Sequence, residues 1–445
     1  MKHNFYKYWL PKKGLIDMNE DFVSCDELKR LSFLPESWIM TKQRKLDWTT
    51  YLNSMGMGMA LEVQLRVSPL IRSLKFKSID LDFAAWLQNG LKPWIDTRQK
   101  VLAELQEYLG IGVYSVENNV QIRNYARLKG IDIASLSMSW LVEHRHDDPV
   151  IRLLLKKRNQ DSLLERYRDR LASLQDHNGI VKLSGTWNPY SSYSGRFTAH
   201  EMAMTALPKA MKNYFVAPSR RSSPNVYVSL DANQIELRLL AGASNCKLLI
   251  EQFEDGVDLH RYFASKLFET NQSNVSPAMR KLAKTLIYAM LYGAGSNRLD
   301  KITVKSGLQI RANPISVLQS LYPEVTALLQ RFRQGKVLYY GLKPTKFQPR
   351  IGVSWLSSAT KQNLPVQSAT ALLMKQILVE LVNKVNVVNV IHDEFICLCN
   401  ERLIDETQQC VLKAFGVAAN KLDLALPLAN ILSTQQLGGN YYDNY

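Results

Sequence analysis

No stretch of this sequence approaches the ~18 consecutive apolar residues that a membrane helix needs. The segment ALLMKQILVELV, for instance, is interrupted by Lys375 and Glu380. The start, MKHNFYKYWLPKK, is basic and aromatic and lacks the apolar run of a secretory signal. Cysteine is scarce: Cys25, Cys246, Cys397, Cys399 and Cys410 form no Cys-x-x-Cys pair, and an odd number cannot close completely into bridges. Reduced thiols, a cytoplasmic location and no membrane partner are therefore expected. There is no internal repeat and no low-complexity tract. A Gly-x-Ser-x-Gly elbow is missing too, which removes the Ser-His-Asp hydrolase that His392-Asp393 would otherwise invite.

Acidic residues are also in short supply. Against 40 Asp and Glu stand 56 Lys and Arg, a formal net charge of +16. Such an excess favours a polyanionic partner, because each basic side chain near a phosphate can displace a condensed counterion. Charge alone does not separate this from a generally basic surface. At 46% hydrophobic and 22% charged, the chain can bury a core without metals or bridges. Its 445 residues suggest two or three lobes at ~150 residues each.

Residues 1–60 show no clean period. From about Leu61 to Gln175 the patterns are helical, as in PWIDTRQKVLAELQEYLG with Gly110 as a stop. DPVIRLLLKKRNQDSLLERYRDRLASL carries Lys156, Lys157, Arg158, Arg166, Arg168 and Arg170, which read as a solvated helix face. After Gln175, VKLSGTWNP, VYVSLD and VNVVNVIHDEFICLC are short, β-branched and bounded by turn residues, so strands are expected. A long helical region runs between the last two, from Gln234 to about Phe332, before an irregular stretch to Gly352. Helices followed by strands with a helical insertion predict an α+β fold with separate lobes. A doubly wound parallel sheet is disfavoured, because strands and helices do not alternate.

Three constellations carry chemistry. In VYVSLDANQIELRLLAGAS a strand ends at Asp231 and a helix begins near Asn233, the expected N-cap. A carboxylate at a strand end is rigidly held yet can face a cleft, which suits a metal ligand. Glu236 falls in the first helical turn, where the dipole favours negative charge. Taken alone, a capping Asp beside a solvated Glu accounts for the same residues. In SPAMRKLAKTLIYAMLYGAG, Ser276 and Pro277 open a helix and Gly293 ends it. Arg280, Lys284, Tyr288 and Tyr292 recur every four residues, so at about 100° per residue they share roughly one third of the circumference. Leu282, Leu286, Ala289 and Met290 would form the buried side. Cations suit a polyphosphate and rings suit stacking on a base or sugar, although an ordinary amphipathic helix fits as well. In VVNVIHDEFICLC, two strands flank His392-Asp393-Glu394. Adjacent carboxylates repel unless a cation sits against them, and Mg²⁺, which binds few carboxylates plus water and phosphate, is the natural one.

In this order the three segments resemble motifs A, B and C of family A DNA polymerases. The family's Asp-Tyr-Ser-Gln-Ile-Glu-Leu-Arg matches Asp231-Ala-Asn-Gln-Ile-Glu-Leu-Arg238. Its Arg-x₃-Lys-x₃-Phe/Tyr-x₃-Tyr-Gly matches Arg280, Lys284, Tyr288, Tyr292 and Gly293, and His-Asp-Glu is intact at 392–394. Lesser matches are Ser194-Gly-Arg196-Phe, Asp258-Leu-His260, Asn363-Leu-Pro-Val-Gln367 and Gly439-Asn-Tyr441. YSVENNVQIRNYARLKGI is similar to the thumb segment that grips the duplex. The similarity runs from about Leu61 to the end.

The resemblance implies a right hand: a palm with an antiparallel sheet, helical fingers inserted in the palm, and a helical thumb. The expected divisions are residues 1–60 as an extension of unknown role and 61–175 as thumb and start of palm. Palm follows at 176–232, fingers at 233–350, and palm with the carboxy-terminal segment at 351–445. It implies template-directed addition of dNTPs to a primer 3′ end on primer–template DNA. Asp231 and Asp393 would hold two Mg²⁺ ions about 3.5–4 Å apart, with Glu394 in support. Arg280, Lys284 and His260 would neutralise the triphosphate, while Gln234, Glu236 and Tyr288 would meet the incoming nucleotide. Tyr292 would order the templating base. Arg196, Asn363 and Gln367 would contact the DNA, and His392 the primer terminus. A monomer is expected, without a proofreading domain, which leaves room for a separate exonuclease or processivity factor. The acidic cluster Asp80-Leu-Asp82 falls inside the thumb match and is expected to be a surface loop rather than part of such a domain. Ala232 and Asn233 depart from the family's Tyr-Ser, and Tyr441 from its Trp. A single-subunit RNA polymerase shares the Arg-Lys-Tyr-Gly helix, but Gln234-Ile-Glu236 and Glu394 argue against it, since Glu236 beside the sugar would exclude a 2′-hydroxyl. A non-catalytic DNA-binding relic is opposed by the intact Asp231, Asp393, Arg280 and Lys284.

Overall fold

The computed structural model describes residues 58–112, 115–145, 147–188, 192, 194–219, 223–335, 337–339, 350–352 and 357–442. The amino-terminal extension up to residue 57 and most of the irregular stretch before Gly352 lie outside the described residues. In chain order the principal elements begin with α1 (Gly58–Leu74), β1 (Ile79–Asp82), α2 (Lys92–Leu109), α3 (Pro149–Leu164), β2 (Ile180–Leu183), β3 (Val216–Ser219) and β4 (Asn225–Ala232). There follow α4 (Ile235–Ser244), α5 (Leu259–Leu267), α6 (Pro277–Leu291), α7 (Pro323–Gln334) and α8 (Ser358–Glu380). The last are β5 (Val387–Ile391), β6 (Glu394–Asn400), α9 (Ile404–Lys421), β7 (Leu432–Leu437) and β8 (Gly439–Tyr442).

The described residues fall into two units, one comprising 58–78, 184–206 and 223–436, the other 79–183, 207–222 and 437–442. In the first, a four-stranded sheet has the order β7-β4-β6-β5, with β6 antiparallel to both β4 and β5. Val226 to Leu230 are buried at every position, so both faces of β4 are covered and burial is continuous rather than alternating. α9 packs on β4 and β6. α8 is the central helix, buried over most of its length and packed against α1, α4, α7 and α9. Its apolar residues occupy all sides, as expected of a helix with neighbours all round.

In the second unit, β1 pairs antiparallel with β2 and β3 pairs parallel with β8. α2 and α3 pack on each other around Val101, Leu105, Leu109, Ile122, Leu141, Val150 and Leu154. Gly110 takes φ 67° just past α2 and ends it as the sequence predicts.

Four local expectations are corrected. Asp80-Leu-Asp82 is not a surface loop: it lies in β1, where pairing with Ile180–Leu183 buries Ile79, Asp80 and Leu81. VKLSGTWNP is not one strand but breaks at Ser184-Gly185, where a side chain at Gly185 would meet Met204 Cγ at 2.9 Å. Lys157 is not on the solvated face of α3; it is buried and bonds Asp161 one turn on at 2.8 Å. Helix α4 is capped not by Asn233 but by Gln234, in a left-handed conformation without a side-chain cap. Among the described residues no helix is long and apolar enough to cross a membrane.

Candidate active site

The β5–β6 hairpin brings two acids to the end of the sheet. Ile391 pairs with Glu394, leaving His392-Asp393 as a two-residue loop. His392 has φ 54°, at the first central position, where such a turn favours glycine. A left-handed non-glycine residue costs roughly 1–2 kcal/mol, a strain that tends to accompany function. On the neighbouring strand Asp231 sits directly opposite Glu394, so both side chains leave the same face of the sheet. The ladder continues one step further, because the Ala232 N–H donates to the Asp393 carbonyl at 3.0 Å. Asp231 is thereby held between Asp393 and Glu394. The Ser229 hydroxyl, one pleat back, donates to the buried Glu394. Burial and the facing Asp231 push the Asp393 carboxyl up to about 6.

This donor set fits magnesium. Two carboxylates that repel each other on rigid backbone are an open site for a hard cation that retains water and phosphate ligands. Among the described residues no group of three or more His, Cys, Asp or Glu side chains forms a closed metal cage.

Beyond Asp231 the chain turns through Gln234, with φ 55°, into α4. The Gln234 Oε1 is buried without a partner among the described residues. One residue into the helix, Glu236 is 6% exposed and accepts from Arg196 Nη2 at 2.6 Å and from the Tyr292 hydroxyl at 2.8 Å. Tyr292 caps the end of α6, and Gln362 Nε2 donates to the Met290 and Leu291 carbonyls in the same last turn. Gly293, at φ 79°, lets the chain pass α8, where a side chain would lie 2.6 Å from Ala359 Cα.

α6 is opened by Ser276 and Pro277 as expected. Arg280 Nε bonds Asp258 at 2.6 Å, and the other oxygen of Asp258 caps α5 by accepting from the Arg261 N–H at 3.0 Å. Lys284 is exposed. The Tyr288 ring lies 6.0 Å from that of His260 and 6.2 Å from that of Tyr292. Burial and the charges of Glu236, Asp393 and Asp231 raise the Tyr288 hydroxyl well above its usual range, so it stays protonated and can donate. His260 is 3% exposed, and its Nδ1 has no partner among the described residues. Burial and the neighbouring Lys284 and Arg280 lower it to about 4. By itself the ring is therefore neutral at pH 7.

Asp231, Asp393, Glu394, Glu236, Arg196, Tyr288 and Tyr292 thus form one constellation. His392 is exposed at its rim, and burial and Arg196 lower its pKa. Asn363 and Gln367 are half-buried one turn apart on α8, and no described hydrogen bond ties them to the acids. Gln362 carries no sequence signal, because its acceptors are backbone carbonyls about seventy residues away.

Comparison with known proteins adds three findings. The model of DNA polymerase family A matches residues 117–437. A thermostable DNA polymerase I of Thermus caldophilus is 28% identical over 317 residues, which is 66% of this chain and 36% of that protein. A DNA polymerase I of Deinococcus radiodurans is 26% identical over 332 residues, 69% of this chain and 33% of that protein. The chain therefore spans about a third of the length of these curated relatives. The solved POL domain of Pol1 from M. smegmatis, in complex with DNA primer-template and dNTP, superposes with a TM-score of 0.61. That match has 18% identity and covers 85% of this chain and 69% of the other, so it speaks to the fold.

Proposed function

The chain belongs to DNA polymerase family A, and from that membership we propose that it is a template-directed DNA polymerase, extending a primer 3′ end with dNTPs. The observation that carries the reading is the juxtaposition of Asp231 with Asp393 at the sheet end, beside the sequestered Glu236 and the ringed end of α6. The sheet of β4 to β7 corresponds to a palm, α4 to α7 to fingers, and the helices of the second unit to a thumb.

Phosphoryl transfer asks little covalent work of a protein, so catalysis rests on positioning and charge. Asp231 and Asp393 would hold two Mg²⁺ ions, which when bound lower the pKa of the attacking hydroxyl and neutralise the leaving pyrophosphate. Glu394, fixed by Ser229, lends negative potential to the same end of the sheet. Arg280 and Lys284 carry the positive charge for the triphosphate, with neutral His260 as a hydrogen-bonding partner beside them. Glu236 is assigned the exclusion of a 2′-hydroxyl. It is tied to Arg196 and Tyr292, so a ribose would have to break a buried, charge-assisted hydrogen bond. His392, Asn363 and Gln367 are assigned to the primer–template.

A primer-extension assay with purified protein, Mg²⁺ and either dNTPs or rNTPs tests the reading. Extension with dNTPs alone is expected, and Asp231→Asn should abolish it while duplex binding persists. Extension by that variant at near the wild-type rate would refute the metal assignment, and preferential use of rNTPs would point to an RNA polymerase.

A further inference from the structure

Two residues, Asn233 and Gln234, separate the strand that holds Asp231 from the helix that holds Glu236. Gln234 makes the reversal in a left-handed conformation that a non-glycine residue adopts only at a cost. The Asn233 carbonyl precedes the first bond of the helical ladder, so it needs a donor from elsewhere. Arg238 supplies it. Its backbone N–H donates to the Gln234 carbonyl at 3.0 Å, and its Nε donates to the Asn233 carbonyl at 2.8 Å. The same guanidinium reaches the Pro427 carbonyl from Nη1 at 2.8 Å and the Asn430 carbonyl from Nη2 at 3.2 Å. It lies 4.3 Å from the centre of the Phe253 ring, and the residue is 3% exposed. From the other side, the Asn233 N–H donates to the Ile431 carbonyl at 2.7 Å. One buried cation therefore ties three backbone carbonyls from two segments, and burial lowers its pKa to about 10, still cationic at neutral pH. A buried charge is a poor way to gain stability, since apolar packing would usually do as well. A planar fork that fixes three acceptors at once is what only arginine provides.

The consequence falls unevenly on the two acids. Asp231 is held independently by the ladder between β4 and β6. Glu236 belongs to α4, whose start is the turn that Arg238 clamps. Loosening the clamp shifts Glu236 relative to Asp231.

We propose that Arg238 is a positioning residue for sugar selection: by clamping the Asn233-Gln234 turn to the Pro427–Asn430 segment, it sets where Glu236 stands against the incoming sugar. This rests on the polymerase reading and on Glu236 as the group that excludes a 2′-hydroxyl.

The test compares full-length wild type, Arg238→Met, Arg238→Lys, Glu236→Ala and the double variant Arg238→Met/Glu236→Ala in single-nucleotide extension with dNTP and rNTP. Thermal melting is recorded for each. Arg238→Met should lower the dNTP-over-rNTP preference tenfold or more, mostly through a higher KM for dNTP and a lower one for rNTP, with kcat for dNTP less affected. Arg238→Lys, which keeps the charge but loses the fork, should fall between. The double variant should discriminate no worse than Glu236→Ala alone, because both act through one carboxylate. A merely destabilised enzyme would lose both substrates equally and keep its preference. Wild-type discrimination in folded Arg238→Met overturns the proposal. Should that variant fail to fold, full discrimination by Arg238→Lys overturns it too. If instead Glu236→Ala itself discriminates normally, the sugar-gate premise fails and the proposal with it.

Discussion

Burial and the facing Asp231 carboxylate hold Asp393 near 6, against an ordinary aspartate value of 3.8. Because the folded-state value is raised, the native protein binds more protons than the unfolded chain between roughly pH 4 and 6. Stability is therefore lost as pH rises through that window and stays reduced above it. Asp393→Asn should melt higher than wild type at pH 8 in chelator, by up to about 2 kcal/mol, with the gain vanishing below about pH 4. Primer extension should be lost in the same variant. A melting temperature at pH 8 no higher than wild type would contradict this account. Tyr288 offers a second residue-scale expectation. Its hydroxyl stays protonated beside Glu236, Asp393 and Asp231, so under the proposed function it would donate in place of a missing sugar 3′-hydroxyl. The enzyme should accept dideoxynucleotides almost as readily as dNTPs, and Tyr288→Phe should restore discrimination, since an unpaired buried polar group costs about 1–3 kcal/mol. Chain-termination assays at matched dNTP and ddNTP concentrations decide it: strong discrimination by the wild type would refute the idea.

The elements around the site depend on close backbone approach. Gly242 in α4 faces the segment before β7, and a methyl group there would lie 1.7 Å from the Ala425 carbonyl oxygen. No side-chain rotation relieves a clash with backbone, so α4 would have to move away from that segment. Gly242→Ala should lower the melting temperature by several degrees despite alanine's better helix propensity, because overpacking costs roughly 1–3 kcal/mol. A rise in melting temperature would show that the segment gives way freely. In the other unit, Arg98 joins α2 to Glu117 by two bonds, at 2.9 and 2.6 Å, and to Asp161 of α3 at 2.6 Å, with Lys157 closing the network. Hydrogen bonds from Arg98 and charge from Lys157 hold Glu117 below its ordinary range. These charges brace helices against one another rather than reaching for a ligand, which is how Lys157 comes to be buried.

At the scale of the whole chain, the net charge of +16 bears on DNA affinity more than on the fold. Binding to a primer–template should weaken by about a thousandfold or more between 50 and 200 mM salt if six or more phosphates are neutralised. Fluorescence anisotropy against salt concentration measures the slope, and affinity nearly independent of salt would contradict a phosphate-dominated interface.

Local order was legible in the residues themselves. The ends of α2 and α6 follow from Gly110, Ser276, Pro277 and Gly293, because caps act within one turn of the chain. The β5–β6 hairpin follows from two β-branched runs around His392-Asp393, and the four-residue spacing of Arg280 to Tyr292 placed the cations and rings along one helix. The sequence by itself thus determined which side chains are candidates for the chemistry. It did not determine their partners. That Asp231 stands opposite Glu394, that Glu236 is shared between Arg196 and Tyr292, and that Arg238 gathers carbonyls from residues 427–430 depend on segments up to about 190 positions apart. Long range also decides two further cases: Asp80, misread as a loop residue, is in a strand because residues 180–183 pair with it, and burial and two cations from another helix lower the His260 pKa. Caps and turns with strong local signals, as at Ser276, Gly110 and Gly293, are short-range and legible in the neighbouring residues. Register, burial and electrostatic neighbours are set only when distant segments pack, and those decide what each charged group can do.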